Sequence, residues 1–364
     1  MKLSPKTRRN IARVIPFGLI WLLMGWVFIL VETAAMGTFS PNSSTIINLT
    51  WPVFIFASIA VTIVGLLVGL VEIFFMERLF RNKSFFQKII YKFGLYVLIM
   101  LLINAITYPL AASFESNIPI TDKVVWEKFG RYMVSITFLS TMLQMAVSIL
   151  LCVMYATISE NLGFGILTNF LTGKYHQPVE ENRIFMFLDL KSSTTVAEKL
   201  GHIRYFELLK EYYSDLSNAI INHLGEVYQY IGDEIVISWN YKNGVLNANC
   251  IKCFFAMKED LRDRSGFYER KFGVIPSFKA GIHIGNVTTG EIGALKKEIF
   301  FTGDVLNATS RIQGMCNDYR AELLVSEELI SQLSLEEIFI VKSLGEVNLK
   351  GRTEPMELYS IQIS

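Results

Sequence analysis

Arg183-Ile184-Phe185-Met186-Phe187-Leu188-Asp189-Leu190 runs directly into Lys191-Ser192-Ser193-Thr194. An apolar run without polar alternation, closed by an acid, predicts a central strand covered on both faces. From Lys191 to about Leu224 the pattern is helical, with a break at Gly201. Glu226–Ile231 and Glu234–Trp239 flank Gly232-Asp233, which is a hairpin signal. Val245–Leu261 reads as helix. Pro276–Ile284 and Val287–Glu291 read as strands parted by Gly285-Asn286. Ile299–Thr302 is a further strand and Asp304–Cys316 a further helix. Glu322–Val325, Ile338–Ser343 and Met356–Ile361 complete a sheet. Strand, helix, hairpin, helix, strand is the split β-α-β order of a ferredoxin-like α+β domain.

Upstream the composition changes. The 364 residues are 52% hydrophobic and 18% charged, with a mean hydropathy of +0.39. That apolar excess excludes a disordered chain and argues against a wholly soluble one. Residues 1–160 carry 13 Lys and Arg against 7 Asp and Glu, and the remainder 21 against 26. An acidic soluble half argues against nucleic acid as a partner. Val14–Val31, Ile46–Val71, Phe93–Phe114 and Tyr132–Ser159 contain no charged residue, and each approaches the roughly 20 residues needed to span a bilayer. The basic segment before the first run also suits a signal peptide, but an 18-residue apolar run is long for one.

Lys2, Lys6, Arg8, Arg9 and Arg13 precede the first run. Arg78, Arg81, Lys83, Lys88 and Lys92 fall in the second connection against Glu77, and Glu32 opens the first connection. Positive charge stays inside, so both termini and the middle connection are predicted to be cytoplasmic, in a cell-membrane protein. Glu32 and Glu72 at the run ends, and Asn104 and Gln144 within runs, are either interfacial or helix–helix contacts or functional groups. Four spans with few charges make a poor transport path, and sensing or anchoring fits better. The expected domains are a four-helix transmembrane part over 1–159, a linker over 160–180 and a soluble domain over 181–364.

Asp189 ends the central strand, and Asp233 sits in the hairpin turn that a ferredoxin-like sheet places beside it. Taken singly, one is a helix cap and the other a turn residue. Together, two carboxylates on adjacent strands can hold two divalent ions for an in-line phosphoryl displacement. The helix opening at Ser192-Ser193-Thr194 offers free amides to a phosphate, with Lys191 beside them.

Phe187 to Thr194, Tyr230-Ile231-Gly232-Asp233-Glu234 and Gly303-Asp304-Val305-Leu306-Asn307-Ala308-Thr309-Ser310-Arg311 resemble the catalytic domains of class III nucleotidyl cyclases over about residues 180–364. Gly173-Lys174-Tyr175-His176-Gln177-Pro178 resembles the linker of bacterial membrane-bound members. The resemblance implies a homodimer with the active site across its interface. Asp189, Asp233 and the Leu190 carbonyl would bind two Mg²⁺ or Mn²⁺. Asn307 and Arg311 of the partner subunit would orient the ribose and stabilise charge on the α-phosphate. Lys350, in Leu349-Lys350-Gly351-Arg352, matches the family's phosphate-binding lysine.

The positions that read the purine depart from the family pattern. Gln229 stands where adenylyl cyclases usually carry Lys, and Phe300 where they carry Asp or Thr. Guanylyl cyclases are not matched either. A glutamine both donates and accepts, so it suits either purine. ATP is favoured by the overall likeness to bacterial adenylyl cyclases, with GTP or a pyrimidine nucleotide as the alternative substrate. A non-catalytic nucleotide-binding receptor is the alternative of another class. The family's second phosphate-binding arginine falls near Leu295, leaving Lys296 or Lys297 as substitutes.

Cys250 and Cys253 have Cys-x-x-Cys spacing without a second ligand pair, so core packing is expected. The four cysteines form no disulfide framework. No Walker-type loop occurs. The Gly-Gly-Asp/Glu-Glu-Phe hairpin of diguanylate cyclases is also missing.

Overall fold

Strand β1, Val179–Leu190, is buried from Arg183 to Leu188 and carries a different core on each face. Ile184, Met186, Leu188 and Leu190 pack with Ile235, Ile237, Trp239 and Phe254. Phe185 and Phe187 point the other way, onto Val236, Val287, Phe301 and Val305. Covering both faces is what an unbroken apolar run requires. The computed structural model describes residues 4–39, 51–76, 79–80, 83–116, 118–162, 164–349 and 354–364. The chain forms two units, one of residues 9–168 and the other chiefly of residues 169–364.

In the second unit β1 is followed by α7 (Ser193–Leu200) and α8 (His202–Asn222). The hairpin β2 (Glu226–Ile231) and β3 (Glu234–Asn240) comes next. A short α9 (Tyr241–Val245) and a 3-10 turn (Leu246–Ala248) lead to α10 (Asn249–Asp263) and α11 (Ser265–Phe272). Then come β4 (Phe278–Ile292), β5 (Glu298–Thr302), α12 (Asp304–Gly314), β6 (Leu323–Ser326), α13 (Glu327–Ile330), β7 (Phe339–Val347) and β8 (Met356–Ile363). The sheet order is β2-β3-β1-β4-β6-β8-β7, with β5 paired to β4. Strands β2-β3-β1-β4 are the antiparallel ferredoxin-like core.

Two expectations need correction. β4 is one continuous strand, not two. Gly285 lies opposite Arg183 within it, and a Cβ there would come 3.1 Å from Val305 Cβ. That glycine serves close helix approach rather than a turn. The helix expected over Val245–Leu261 is interrupted at Asn247 and Ala248, both at φ 52°. Residues 160–180 include a helix, α6 (Phe164–Thr172), which no expectation excluded.

Glu181, at the start of β1, accepts from Thr289 Oγ1 at 2.7 Å and from Tyr175 OH at 3.0 Å. Burial pushes its carboxyl up, but Thr289, Arg183 and Tyr175 outweigh that and hold it below the usual range. A depressed folded-state value stabilises the protein above the ordinary carboxyl pKa, and this is lost as pH falls through the depressed value. Glu181→Gln is therefore expected to cost about 1 kcal/mol at neutral pH. Denaturant melts of variant and parent should converge in acid.

The first unit contains α1 (Pro5–Phe39), α2 (Trp51–Val71) continuing as a π-helical turn over Glu72–Met76, α3 (Phe85–Ser116), α4 (Lys123–Met133) and α5 (Ile136–Leu162). Pro5–Val31, Ala57–Met76, Phe85–Leu110 and Phe138–Leu162 are long and apolar enough to cross a membrane. A Cβ at Gly65 would lie 2.7 Å from Trp21 Cβ, so α1 and α2 meet where a side chain is missing.

Lys88 and Lys92 do not lie in the second connection, because α3 begins before them. Lys92 is 1% and Glu72 2% exposed, and the two form an ion pair. Tyr96 OH donates to Glu72 Oε2 at 2.9 Å, and Lys88 pairs with Glu160 at 2.6 Å. Lys88, Lys92 and Tyr96 recur every fourth residue and so share one face of α3. Glu77, Arg78, Arg81 and the side chain of Glu32 lie outside the described residues.

Candidate active site

The register fixes the site. Leu188 of β1 pairs with Ile235 of β3, which brings the Gly232-Asp233 turn alongside Asp189. Gly232 has φ 65°, a left-handed conformation that glycine adopts without steric cost. Tyr213 OH on α8 donates to the Gly232 carbonyl at 2.9 Å and ties the turn down.

Burial first, and the neighbouring Asp233 charge second, push the Asp189 carboxyl above its ordinary value. Glu234 is pushed up to about 7 by burial, then by Asp189 and Asp233. Tyr205 on α8 rises to about 12 through burial and the same two carboxylates. Asp233 Oδ2 is buried without a hydrogen-bond partner. Oxygen donors, like-charge crowding and an orphaned carboxylate oxygen fit a hard divalent cation. Among the described residues no three His, Cys, Asp or Glu side chains group as a metal cage. Two carboxylates without a cage suit an ion that keeps water and phosphate oxygens as its other ligands.

Asp189 Oδ2 is held on its other side. Gln313 Nε2 of α12 donates to it at 3.3 Å, and Lys279 Nζ, opposite Asp189 in the β1–β4 register, lies 3.7 Å away. Sequence alone points to none of Gln313, Lys279 and Tyr213. Only the Lys279 pairing could be found there, by aligning the two strands.

Helix α12 buries Val305, Ala308, Thr309, Ile312 and Gln313. Asn307 and Ser310 are exposed and Arg311 is half-buried. Asn307 and Arg311, four apart, share the face turned from the sheet. Arg311 Nη1 is buried without a hydrogen-bond partner. A guanidinium left in that state costs stability that an anionic ligand would recover.

Ser192, at φ 55°, turns the chain into α7. Ser193 and Thr194 open that helix, where first-turn amides have no intrahelical acceptor. Lys191 is different: its amide donates to Ser277 O at 2.8 Å and its ammonium to Glu322 Oε1 at 2.5 Å. The strand pairing between Leu190 and Phe278 continues one residue further and occupies that amide, while the Lys191 side chain is engaged by Glu322.

Gln229 is exposed on β2, beside a bulge at Tyr228. Phe300 is 44% exposed on β5, opposite Gly290. Lys296 pairs with Glu298, and Lys297 with Glu291 at 3.7 Å, in the β4–β5 turn. That turn lies about 40 Å along β4 from Lys279 at the usual strand rise. Phe300, Lys296 and Lys297 are therefore not brought to the Asp189–Asp233 pair of their own chain. Lys350 lies outside the described residues. Cys250 and Cys253 are fully buried in the core, as expected.

Comparison with known proteins identifies the family. The adenylate and guanylate cyclase catalytic domain family matches residues 175–363. Adenylate cyclase 2 of Rhizobium meliloti (strain 1021) is 32% identical over 204 residues, covering 56% of each chain. The adenylate cyclase of Anabaena cylindrica is 26% identical over 180 residues, 49% of this chain and 36% of that protein. This chain thus spans about half or less of the length of these relatives. A solved bacterial light-regulated adenylyl cyclase superposes with a TM-score of 0.51 at 19% identity, over 63% of this chain and 65% of that one. At that identity the likeness is one of fold.

Proposed function

Because the chain belongs to the adenylate and guanylate cyclase catalytic domain family, we propose that it converts ATP into 3′,5′-cyclic AMP and pyrophosphate as a homodimer anchored in the cell's inner membrane. In this reading residues 1–159 form the membrane part, 160–180 a transducing linker and 181–364 the catalytic domain, with both termini cytoplasmic. The observation that carries the proposal is the crowding of Asp189 against Asp233, with Asp233 Oδ2 buried and unpartnered.

The ribose 3′-oxygen attacks the α-phosphorus and pyrophosphate leaves in line. Asp189, Asp233 and the Leu190 carbonyl would hold two Mg²⁺ or Mn²⁺. When bound, such ions lower the pKa of a coordinated hydroxyl and neutralise phosphate charge. The amides of Ser192, Ser193 and Thr194 receive phosphate oxygens. Asn307 of the partner subunit fixes the ribose. Arg311 of the partner subunit places its orphaned guanidinium nitrogen against charge developing at the α-phosphate. Two-fold symmetry gives two equivalent sites.

The test is the purified full chain with Mg²⁺ or Mn²⁺ and each of the four nucleoside triphosphates, with products identified by mass spectrometry. Cyclic AMP should predominate. Nucleotide binding without any cyclic product would overturn the enzyme reading.

Two further outcomes are expected. Gln229→Lys with Phe300→Asp should raise the ATP-to-GTP turnover ratio by about 10-fold, roughly the worth of one added hydrogen bond to the base. An unchanged ratio in competition assays would mean those positions do not read the base. Separately, Asp189→Asn and Arg311→Ala proteins should each be inactive alone. Mixed one to one through unfolding and reassembly, they should regain about a quarter of parental activity, since half the dimers are mixed and each carries one intact site.

A further inference from the structure

Gln313 belongs to neither pair of residues assigned above, yet it touches one and shares a helix with the other. Its side chain is 7% exposed, and its amide nitrogen meets Asp189 Oδ2 at 3.3 Å. The backbone beneath it is pinned. A Cβ added at Gly281 of β4 would lie 2.4 Å from Gln313 N and 2.9 Å from Thr309 O, so α12 rests directly on the sheet there. The opposite face of the same helix carries Asn307 and Arg311.

We propose that Gln313 is a positioning residue that holds Asp189 for its cation and thereby links metal occupancy at one site to the helix face completing the other. The linkage rests on the shared-site reading above, whereas the positioning of Asp189 does not. Two groups act on one carboxylate oxygen: a neutral amide that donates to it and the Lys279 ammonium, an ion pair at 3.7 Å. Without the amide, Asp189 is left to the ammonium, which competes with a cation for the same oxygen. Partners that orient a metal ligand in this way typically control metal affinity by about 10-fold or more. A cation drawing on Asp189 in turn pulls on Gln313, and the rigid helix carries that pull to Asn307 and Arg311.

The experiment uses the full chain in detergent micelles, with Mn²⁺ alone as the probe, titrated by the loss of its free electron-paramagnetic-resonance signal. Gln313→Met keeps length and volume but cannot donate, and Gln313→Ala keeps the strongest helix former should Met perturb packing. Either variant should bind Mn²⁺ about 10-fold more weakly, with an unchanged circular-dichroism spectrum. In an Asp189→Asn background neither should weaken binding further. A folded variant with parental Mn²⁺ affinity overturns the positioning role, even if the protein makes no cyclic nucleotide.

The linkage is read in mixed dimers built from Asp189→Asn and Arg311→Ala subunits. Gln313→Met should raise the Mn²⁺ concentration for half-maximal turnover when it shares a subunit with the intact Asp189. Placed in the other subunit, it should lower turnover at saturating Mn²⁺. No effect from the second placement overturns the linkage while leaving the positioning role standing. Mixed dimers with no activity at all would overturn the shared-site reading and the linkage with it.

Discussion

Asp233→Asn is expected to lower cyclase turnover by about 1000-fold while raising the melting temperature of the metal-free protein. The loss follows from removing one of two carboxylates that hold the cations, at about 4 kcal/mol of transition-state stabilisation. The gain follows from the same geometry. In the metal-free protein, burial and the Asp233 charge push the Asp189 carboxyl up, and Glu234 is pushed up to about 7. An acid whose folded-state pKa exceeds its unfolded value destabilises the fold at higher pH, and the deficit shrinks as pH falls through the raised value. Asp233→Asn removes the shared charge, so its advantage should be largest above pH about 7 and fade in acid. Calorimetry of chelator-treated protein at two pH values measures this, with about 3 °C expected at the higher pH. Adding Mn²⁺ should stabilise the parent much more than the variant. A variant that melts below the parent at alkaline pH would contradict the crowding of the two carboxylates.

Gly281→Ala is expected to cost about 3 kcal/mol and most of the activity, although glycine offers no chemistry. The added methyl would meet backbone on three sides: Gln313 N at 2.4 Å, Gln313 Cα at 2.8 Å and Thr309 O at 2.9 Å. No rotamer change relieves contacts with backbone, so either β4 or α12 must move. Movement of α12 displaces Asn307 and Arg311, and misplacement by about 1 Å costs about 100-fold in rate. Denaturant melts and kinetics on one preparation separate the two losses. A Cβ added at Gly314, on the same helix, would meet no atom within 4 Å, so Gly314→Ala is the control and should leave stability nearly unchanged.

Local pattern suffices where one segment decides the outcome. The buried run Arg183–Leu188 needs no partner to be read as a central strand. Gly232-Asp233 needs only its flanking strands. Pattern fails where a residue's meaning comes from another element. Gly285 has the look of punctuation, but Val305 of α12 gives it its purpose. Lys92 belongs by sequence to a basic connection, whereas Glu72 draws it into the first unit's interior. Lys191 stands in the expected phosphate loop, and its amide bond to Ser277 and its ion pair with Glu322 come from elements distant in sequence. Gln313 carries no signal in its own neighbourhood, because its contact with Asp189 spans 124 residues of sequence. The two carboxylates are legible because a strand end and a tight turn are local features. The residues that hold them in place are products of tertiary packing.

The Glu72–Lys92 pair bears on biogenesis. The two side chains flank the connection between α2 and α3, and each is nearly inaccessible. In the bilayer placement proposed above, threading either helix alone would strand an unneutralised ion in hydrocarbon, at a cost of about 3 kcal/mol or more. Delivering both together, as a paired hairpin released sideways from the insertion machinery, conceals the charge before lipid meets it. In that placement, joint insertion of these two segments is the expected route.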